Sequence, residues 1–205
     1  MNPNKKDIPL ILASASPRRK EILEAHGHSP IVLPADVDEG AVDESLFTPS
    51  ELTIYLAEQK ATAIFSRLNP ADWPDGCRIL GVDTIVYKDR IIGKPIDEED
   101  SLNILRSLKN SSHEVISGVC LIHAIPIREQ NALSISDKQL FADTTVVRFG
   151  DYSDDEILEY IRANPPYDKS GSYAIQSEWG KHVLNVQGDI ENVIGLPYEK
   201  LASFL

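Results

Sequence analysis

Cysteine is scarce in this sequence, which holds only Cys77 and Cys120 among 205 residues. Two thiols so far apart provide neither a disulfide framework nor the closely spaced cysteine pairs of a zinc site. The scarcity argues against the small disulfide-stapled secreted class and is typical of a reducing compartment. We therefore expect a cytoplasmic protein.

Positive charge and long apolar runs are also in short supply. The chain has 20 Lys and Arg against 32 Asp and Glu, a net charge of −12, which disfavours non-specific binding to nucleic acid or to an anionic membrane. No stretch approaches the roughly 20 apolar residues of a membrane span. The basic start is followed by an apolar run, residues 8–13, that is broken by Pro9 and too short for a secretory leader. We expect neither a nucleic-acid partner nor a membrane partner.

Several familiar catalytic motifs are missing. The sequence has no dinucleotide G-x-G-x-x-G, no H-E-x-x-H and no serine nucleophile elbow. Gly93-Lys94 in "IIGKPID" lacks the preceding glycine and following hydroxyl of a Walker A loop. His26 and His28 stand at the end of a predicted helix, where cations suit the helix dipole, and this favours a structural interpretation over a metal site.

Strand and helix signals alternate along the chain. "PLILAS" predicts a buried strand, and Ser16-Pro17 predicts a helix that stops near Gly27. Further helices are indicated by two capping boxes, Thr48 with Glu51 and Ser153 with Glu156. The pattern predicts an α/β fold, a mixed twisted sheet flanked by helices, in two lobes with a cleft. With no repeat and no low-complexity linker, residues 1–205 are expected to form a single domain.

The predicted helix after Pro17 begins with an unfavourable charge distribution. Arg18, Arg19 and Lys20 fall in its first turn, although a helix N-terminus favours acids by about 0.3–1 kcal/mol each. A bound polyphosphate would remove the conflict, because the helix amides, the cations and the Ser14 and Ser16 hydroxyls would all act on one anion. The alternative is a solvated basic turn.

Other charged residues stand where charge is disfavoured. Asp83 interrupts the apolar strand "ILGVDTIVY", and burying its carboxylate is costly without a partner. Lys60 lies on the apolar stripe of its predicted helix, Glu39 ends a strand-like run, and Lys94 follows a strand. The structural alternatives are a turn-capping Asp83, a Lys60 that extends its amine to solvent, and solvated Glu39 and Lys94 side chains.

Eight segments carry a resemblance to a known family. In order they are "LASASPRRKEIL", "DVDEG", "LAEQKA", "GVDTIV", "IIGKP", "HEVISGV", "DKSGSYAIQ" and "NVIGLP". Over nearly the whole chain the sequence resembles the Maf family of nucleoside triphosphate pyrophosphatases, also called septum-formation inhibitor proteins. Two departures are Ser177, where the family usually has glycine, and a small insertion around Trp73.

The resemblance implies an enzyme that cleaves a nucleoside triphosphate between its α- and β-phosphates, giving the monophosphate and pyrophosphate. It implies a divalent metal, Mg²⁺ or Mn²⁺, and a fold akin to inosine triphosphatase. Asp83 matches the family's catalytic aspartate and is the implied general base, while Glu39 and Asp83 are the candidate metal ligands. The matching polar residues of the family's cleft are Ser14, Arg19, Glu39, Lys60 and Lys94.

Three further positions bear on the substrate. In the pyrimidine branch of the family the specificity positions match Arg18, Thr84 and Gln176, which implies dTTP and UTP as substrates. The alternatives are a 7-methyl-GTP pyrophosphatase and a regulator of cell division that senses nucleotides without cleaving them. The resemblance also implies a possible homodimer.

Overall fold

The fold is taken from a computed structural model, which describes residues 8–127 and 129–205. The basic start of the chain, residues 1–7, lies outside the described residues. The α-helices are α1 (Pro17–Ala25), α2 (Pro49–Phe65), α3 (Glu98–Leu108), α4 (Asp154–Ala163), α5 (Ile190–Ile194) and α6 (Tyr198–Leu201). Short 3-10 turns form at Glu39–Ala41, Ser170–Ser172 and Glu178–His182. No helix in the described ranges is both long and apolar enough to cross a membrane.

The described residues form one mixed sheet of seven strands. The strands are β1 (Leu10–Leu12), β2 (Ile31–Val32), β3 (Cys77–Lys88), β4 (Arg90–Ile92), β5 (Ser112–Ile127), β6 (Ala132–Phe149) and β7 (Val183–Gln187). Their order is β2-β1-β3-β5-β6-β7, with β4 paired to β3. Strand β1 runs parallel to both β2 and β3, whereas β4 is antiparallel to β3 and β7 to β6. The predicted α/β class with a mixed sheet and flanking helices is confirmed.

Local signals located most elements correctly. Both capping boxes form, at Thr48 for α2 and at Ser153 for α4, because each needs only four consecutive residues. The turn between β3 and β4 falls at Asp89, whose φ of 59° is the left-handed conformation that aspartate tolerates. Two details differ from the sequence-based expectation. Strand β2 has only two residues, and Glu39 begins a 3-10 turn instead of ending a strand.

The chain divides into two compact units. The predicted cleft between two lobes stays a prediction. The first unit comprises described residues within Met1–Asp83, Ser117–Asp143 and Tyr198–Leu205. Its core joins α2 to the sheet through buried residues of β1, α2, β3 and β5: Ile11, Ala57, Ala61, Ile64, Cys77, Ile79, Cys120 and Ile122. That these residues and the second unit together form a single domain stays a prediction.

Close packing of α2 on β3 depends on Gly81. A Cβ atom at this position would lie 2.1 Å from the Ala57 carbonyl oxygen and 2.9 Å from the Ala61 amide nitrogen. Both contacts involve backbone, so no side chain can relieve them, and only glycine allows the helix to approach the strand this closely. The consequence is that Lys60, on the turn between these two alanines, faces β3 near Asp83.

The second unit comprises Thr84–Ile116 and Thr144–Pro197. Its core is rich in aromatic rings, with Phe149, Tyr152, Tyr173 and Trp179 packed edge to face at centroid distances of 4.8–6.0 Å. Helix α3 packs against α4, and the pairs Arg106 with Asp154 and Arg162 with Glu98 join the two helices. This unit contains a buried histidine, His113, whose Nε2 lies 2.7 Å from the Tyr173 hydroxyl.

Candidate active site

Two short parallel strands of the first unit, β1 and β2, end beside the first half of β3, to which β1 runs parallel. Leu12 of β1 pairs with Leu80 of β3, and the Leu33 amide, just after β2, donates to the Leu12 carbonyl at 3.0 Å. The chain segments beyond these pairs therefore start side by side. They carry three of the sequence-predicted site residues: Ser14 after β1, Glu39 after β2, and Asp83 further along β3.

Arg19 connects the start of α1 to β3. Its Nη1 donates to the Ser14 hydroxyl oxygen at 2.9 Å and to the Val82 carbonyl oxygen at 2.9 Å. Ser16 occupies the N-cap position, but its side chain makes no capping hydrogen bond, and its own amide donates to Ser14 Oγ at 3.2 Å. The first turn of α1 contains no acidic residue. The helix start therefore has a favourable proline but neither a side-chain cap nor an acid in its first turn, and Arg19 is held against β3.

The pKa of Arg19 reflects the burial of its guanidinium and the charged side chains around it. Burial lowers the pKa of its guanidinium to about 10; Asp83 raises the pKa, Arg18 lowers it, and Glu39 raises it. The guanidinium therefore stays protonated at neutral pH, but burial makes its charge costly. A cation held at such a cost beside a helix N-terminus is suited to binding an anion.

Lys60 holds both candidate carboxylates. Its Nζ lies 2.6 Å from Asp83 Oδ1 and 2.6 Å from Glu39 Oε1. Asp83 is buried, at 6% exposed, whereas the Glu39 side chain is 42% exposed. Neither structural alternative for the buried pair is correct, because Lys60 does not extend its amine to solvent and Asp83 caps no turn but lies within β3.

The remaining cations of α1 differ in what they contact. Lys20 forms an exposed pair with Glu24 one turn later, at 3.3 Å. Arg18 lies close enough to Arg19 to lower the pKa of that guanidinium. With Lys60, the two arginines outnumber the carboxylates of Glu39 and Asp83 by one charge, in a chain of net charge −12. The cluster is therefore a locally cationic place on an acidic protein.

The other predicted residues belong to the second unit, where a short loop fastens them. Thr84 donates its hydroxyl proton to the Gly195 carbonyl at 3.4 Å, and its own carbonyl accepts from Ser170 Oγ at 3.3 Å. The Gly171 amide donates to the Gly93 carbonyl at 3.1 Å, directly before exposed Lys94. The turn Ser170–Ser172 thus holds the backbone on both sides, at Thr84 and at Gly93.

Gln176 stands exposed on a turn that is itself well fastened. The amide and the hydroxyl of Ser177 both donate to the Ala174 carbonyl, at 3.1 and 2.6 Å. The same hydroxyl accepts from the Trp179 amide at 3.3 Å and begins the 3-10 turn Glu178–His182. A glycine could make neither hydroxyl contact, so the departure at Ser177 gives the Gln176 turn a support that glycine lacks.

Two contributors were not identified from the sequence. The Val82 carbonyl that orients Arg19 has no side-chain signature, and only the register of β1 against β3 reveals it. Gly171 was quoted only as part of a motif, yet its φ is 74° and a Cβ atom there would lie 2.7 Å from Val86 Cγ2, so the position requires glycine. A glycine between two serines in a loop was the available signal.

Comparison with known proteins identifies the family of this chain. A family model described as Maf-like protein matches residues 9–205. This match covers nearly the whole chain, and the chain belongs to the Maf family.

Individual relatives agree with this assignment. A protein of Acetivibrio thermocellus named dTTP/UTP pyrophosphatase is 34% identical over 199 residues, which cover 97% of this chain and 94% of that protein. Proteins with the same name from Clostridium acetobutylicum and Bacillus thuringiensis subsp. konkukian are each 38% identical. Those matches cover 97% and 94% of this chain, and 96% and 91% of the relatives.

Proposed function

We propose that this protein is a dTTP/UTP pyrophosphatase. Water would attack the triphosphate so that the bond between the α- and β-phosphates breaks, giving dTMP or UMP and pyrophosphate. The observation that carries the proposal is the cluster in which Lys60 holds Asp83 and Glu39 beside the cationic start of α1. The substrate is taken from the similar relatives, whose names give this activity.

In this proposal the cations of the first unit bind the phosphates. Arg19 and Arg18 would offer forked N–H donors to phosphate oxygens, and the positive end of the α1 dipole would add to their attraction. Ser14 would contribute its hydroxyl. The cost of keeping Arg19 charged in a partly buried place is then offset when the anion binds, because the guanidinium and the positive end of the helix dipole both attract the phosphate. Lys94 of the second unit is proposed as another phosphate contact.

Asp83 is proposed as the general base. Its carboxylate is buried in an apolar strand and held at Oδ1 by Lys60, so its position is fixed before substrate arrives. It would take the proton of the attacking water, a contribution of about 10²–10⁴ in rate. Lys60 would stabilise negative charge close to the reacting phosphate.

A divalent cation, Mg²⁺ or Mn²⁺, fits the donor set. No group of three or more potential protein ligands occurs among residues 8–127 and 129–205. Mg²⁺ nevertheless binds to enzymes through one or two carboxylates together with substrate phosphates. Glu39 and Asp83 are such a pair, already gathered around one cation. When bound, the metal would neutralise part of the negative charge of the phosphates.

Selectivity for pyrimidines is proposed to depend on Gln176, Thr84 and Arg18. A uracil or thymine edge presents an N–H between two carbonyl oxygens, and the Gln176 amide can both donate and accept. Gln176 is exposed and available to a ligand, on the turn that Ser177 fastens. Arg18 would repel the positive charge of a methylated purine such as 7-methyl-GTP.

A panel of nucleotides tests this function. Pyrophosphate release is measured from dTTP, UTP, 7-methyl-GTP and ATP with Mg²⁺ or Mn²⁺, and dTTP and UTP should give the highest kcat/KM. Gln176→Glu should lower kcat/KM for UTP by at least tenfold, because a carboxylate would face a pyrimidine carbonyl. Glu178→Gln, two residues further on an exposed position, is the matched control and should change it little. Equal kcat/KM for UTP and 7-methyl-GTP would contradict the assignment, and binding without pyrophosphate release would indicate a nucleotide sensor.

A further inference from the structure

The ammonium group of Lys60 lies between two carboxylates, in a position that a bound cation could take. Its ammonium nitrogen lies 2.6 Å from one oxygen of Glu39 and 2.6 Å from one oxygen of Asp83. The lysine side chain is only 12% exposed, so few water molecules can share these contacts. A single positive charge therefore bridges two carboxylates that would otherwise repel each other.

The two oxygens held by Lys60 belong to the carboxylates expected to hold the divalent metal. A metal ion that binds both carboxylates must compete with the ammonium for them, because two cations in contact with the same oxygens repel strongly in a partly buried place. The divalent ion must also release waters that it gives up reluctantly. Lys60 is part of the protein and is always present at the site. Unlike the divalent ion, it does not have to leave bulk water each time it pairs with the carboxylates.

The Lys60 side chain can release the carboxylates without any movement of helix α2, which packs closely on β3 at Gly81. The lysine stem has four methylene groups and can rotate its ammonium to another partner. A triphosphate brings several negative oxygens, which are suitable new partners for the ammonium.

We propose that Lys60 is an internal counter-ion that competes with the divalent metal for Glu39 and Asp83. In the free protein it occupies the two carboxylates and keeps the metal weakly bound. A triphosphate relieves the competition by attracting the ammonium, so substrate and metal favour each other's binding. The inference rests on the proposed function for the metal and the triphosphate, but it concerns the protein before substrate arrives.

The test is the affinity for Mn²⁺ alone, measured without nucleotide by calorimetry and by the electron paramagnetic resonance signal of free Mn²⁺. Lys60→Gln should bind Mn²⁺ at least tenfold more tightly than the unaltered protein, because the competing charge is gone. Lys138→Gln is the matched control: it removes a lysine of the first unit that pairs with Glu58 at 2.5 Å. The Mn²⁺ affinity of Lys138→Gln should stay within about twofold of that of the unaltered protein. Both substitutions remove one positive charge, so a difference between them cannot come from the net charge of the protein.

A second substitution localises the gain. Lys60→Gln combined with Glu39→Gln should lose the tightened binding, because one of the two carboxylates is neutralised. Lys60→Met, which keeps an apolar stem against α2, replaces Lys60→Gln should the latter unfold, and both are checked by thermal melting. Unchanged or weaker Mn²⁺ binding in the folded Lys60 variant would overturn the inference, as would equal gains in the Lys138 control.

The outcome is separable from that of the proposed function. Pyrophosphate release from UTP by the unaltered protein tests the function without reference to Lys60. An active enzyme whose Lys60 variant gains no Mn²⁺ affinity would reject the counter-ion alone. Tighter Mn²⁺ binding in a protein that cleaves no nucleotide would support the counter-ion and reject the function.

Discussion

Helices of the two units begin in opposite ways. Helix α4 in the second unit starts with a complete capping box at Ser153, has acids in its first turn and has Arg162 in its last. Helix α1 in the first unit has a proline and two arginines in its first turn, no acid there, and an N-cap serine whose side chain caps nothing. The start of α4 follows the local rules for helix capping and charge, whereas the start of α1, apart from its favourable proline, does not. Such local conflicts are expected where a protein serves a ligand.

Ionisable groups show the same contrast. In the second unit, the buried His113 is kept neutral, because burial and nearby Lys88 lower its pKa to about 4. Burial likewise raises the pKa of the Tyr173 hydroxyl, and charged pairs such as Arg106 with Asp154 lie on the surface. In the first unit, charged Arg19, Lys60 and Asp83 are gathered in partly buried places. Charge is therefore kept on the surface in the one region and gathered in partly buried places in the other, as the proposed anion site requires.

The largest effect should come from removing the buried carboxylate of the first unit. Asp83→Asn keeps the shape of the side chain but loses the basic oxygen, so kcat for UTP should fall at least 100-fold. The fold should persist, because Lys60 retains Glu39 as a partner. Activity is measured as pyrophosphate release and folding by circular dichroism.

The control for Asp83 is a carboxylate of the second unit. Asp154 pairs with Arg106 on the surface, and Asp154→Asn should leave kcat unchanged while lowering the melting temperature slightly. Retention of more than a tenth of the turnover by Asp83→Asn would exclude it as the essential base. An equal loss in Asp154→Asn would remove the contrast between the regions.

The second effect concerns stability and lies in the second unit. The folded pKa of His113, about 4, is below the ordinary value of 6.5, so the unfolded state binds more protons between these values. The stabilisation from keeping His113 neutral is therefore complete above pH 6.5 and is lost as pH falls toward 4. By pH 5 the loss amounts to about 2 kcal/mol, at 1.36 kcal/mol per pKa unit.

His113→Gln checks this value, because an amide can still bond to the Tyr173 hydroxyl but does not titrate. Urea unfolding at pH 7 and pH 5 should show a drop in unfolding free energy about 2 kcal/mol smaller in the variant. Between pH 7 and pH 8 both proteins should behave alike, which serves as the internal control. Parallel pH profiles throughout would mean that His113 is not held neutral.

Sequence was informative wherever a few neighbouring residues decide the structure. The caps at Thr48 and Ser153 form as predicted, and Asp83 was identified because a carboxylate in an apolar strand needs a partner. That partner could not be derived, since Lys60 and Glu39 reach Asp83 only through strand register and the close approach at Gly81.

The missed elements have the same explanation. Strand β2 was expected to be longer, but its two residues are exposed, and one further backbone hydrogen bond, from the Leu33 amide to the Leu12 carbonyl, follows it. The sequence analysis predicts no helix at the five-residue helix α5, because so short a helix depends on tertiary contacts. One such contact comes from buried Asn192, whose amide donates to the Val115 carbonyl at 3.0 Å.

The smallest expected effect, on affinity, bears most directly on the claim that the cations of α1 serve a ligand. Arg19→Met removes the guanidinium and keeps an apolar stem. The variant loses two hydrogen bonds, which destabilises it, and it also avoids the cost of burying a charge, which stabilises it. The melting temperature without ligand should therefore move by no more than about 3 °C. Affinity for a triphosphate should fall at least tenfold. The control, Arg106→Met, removes a surface arginine of the second unit and should leave that affinity unchanged.

The decisive measurement is the melting temperature of the unaltered protein and of Arg19→Met, each with and without Mg²⁺ and α,β-methylene-UTP, which resists cleavage. At 100 times its Kd a ligand stabilises by about 2.7 kcal/mol, and a tenfold weaker affinity removes about 1.4 kcal/mol of that. The account predicts nearly equal melting temperatures without ligand and a clearly smaller ligand-induced rise in the variant. An equal rise in both proteins, or a collapse of the variant without ligand, would show instead that Arg19 serves the fold.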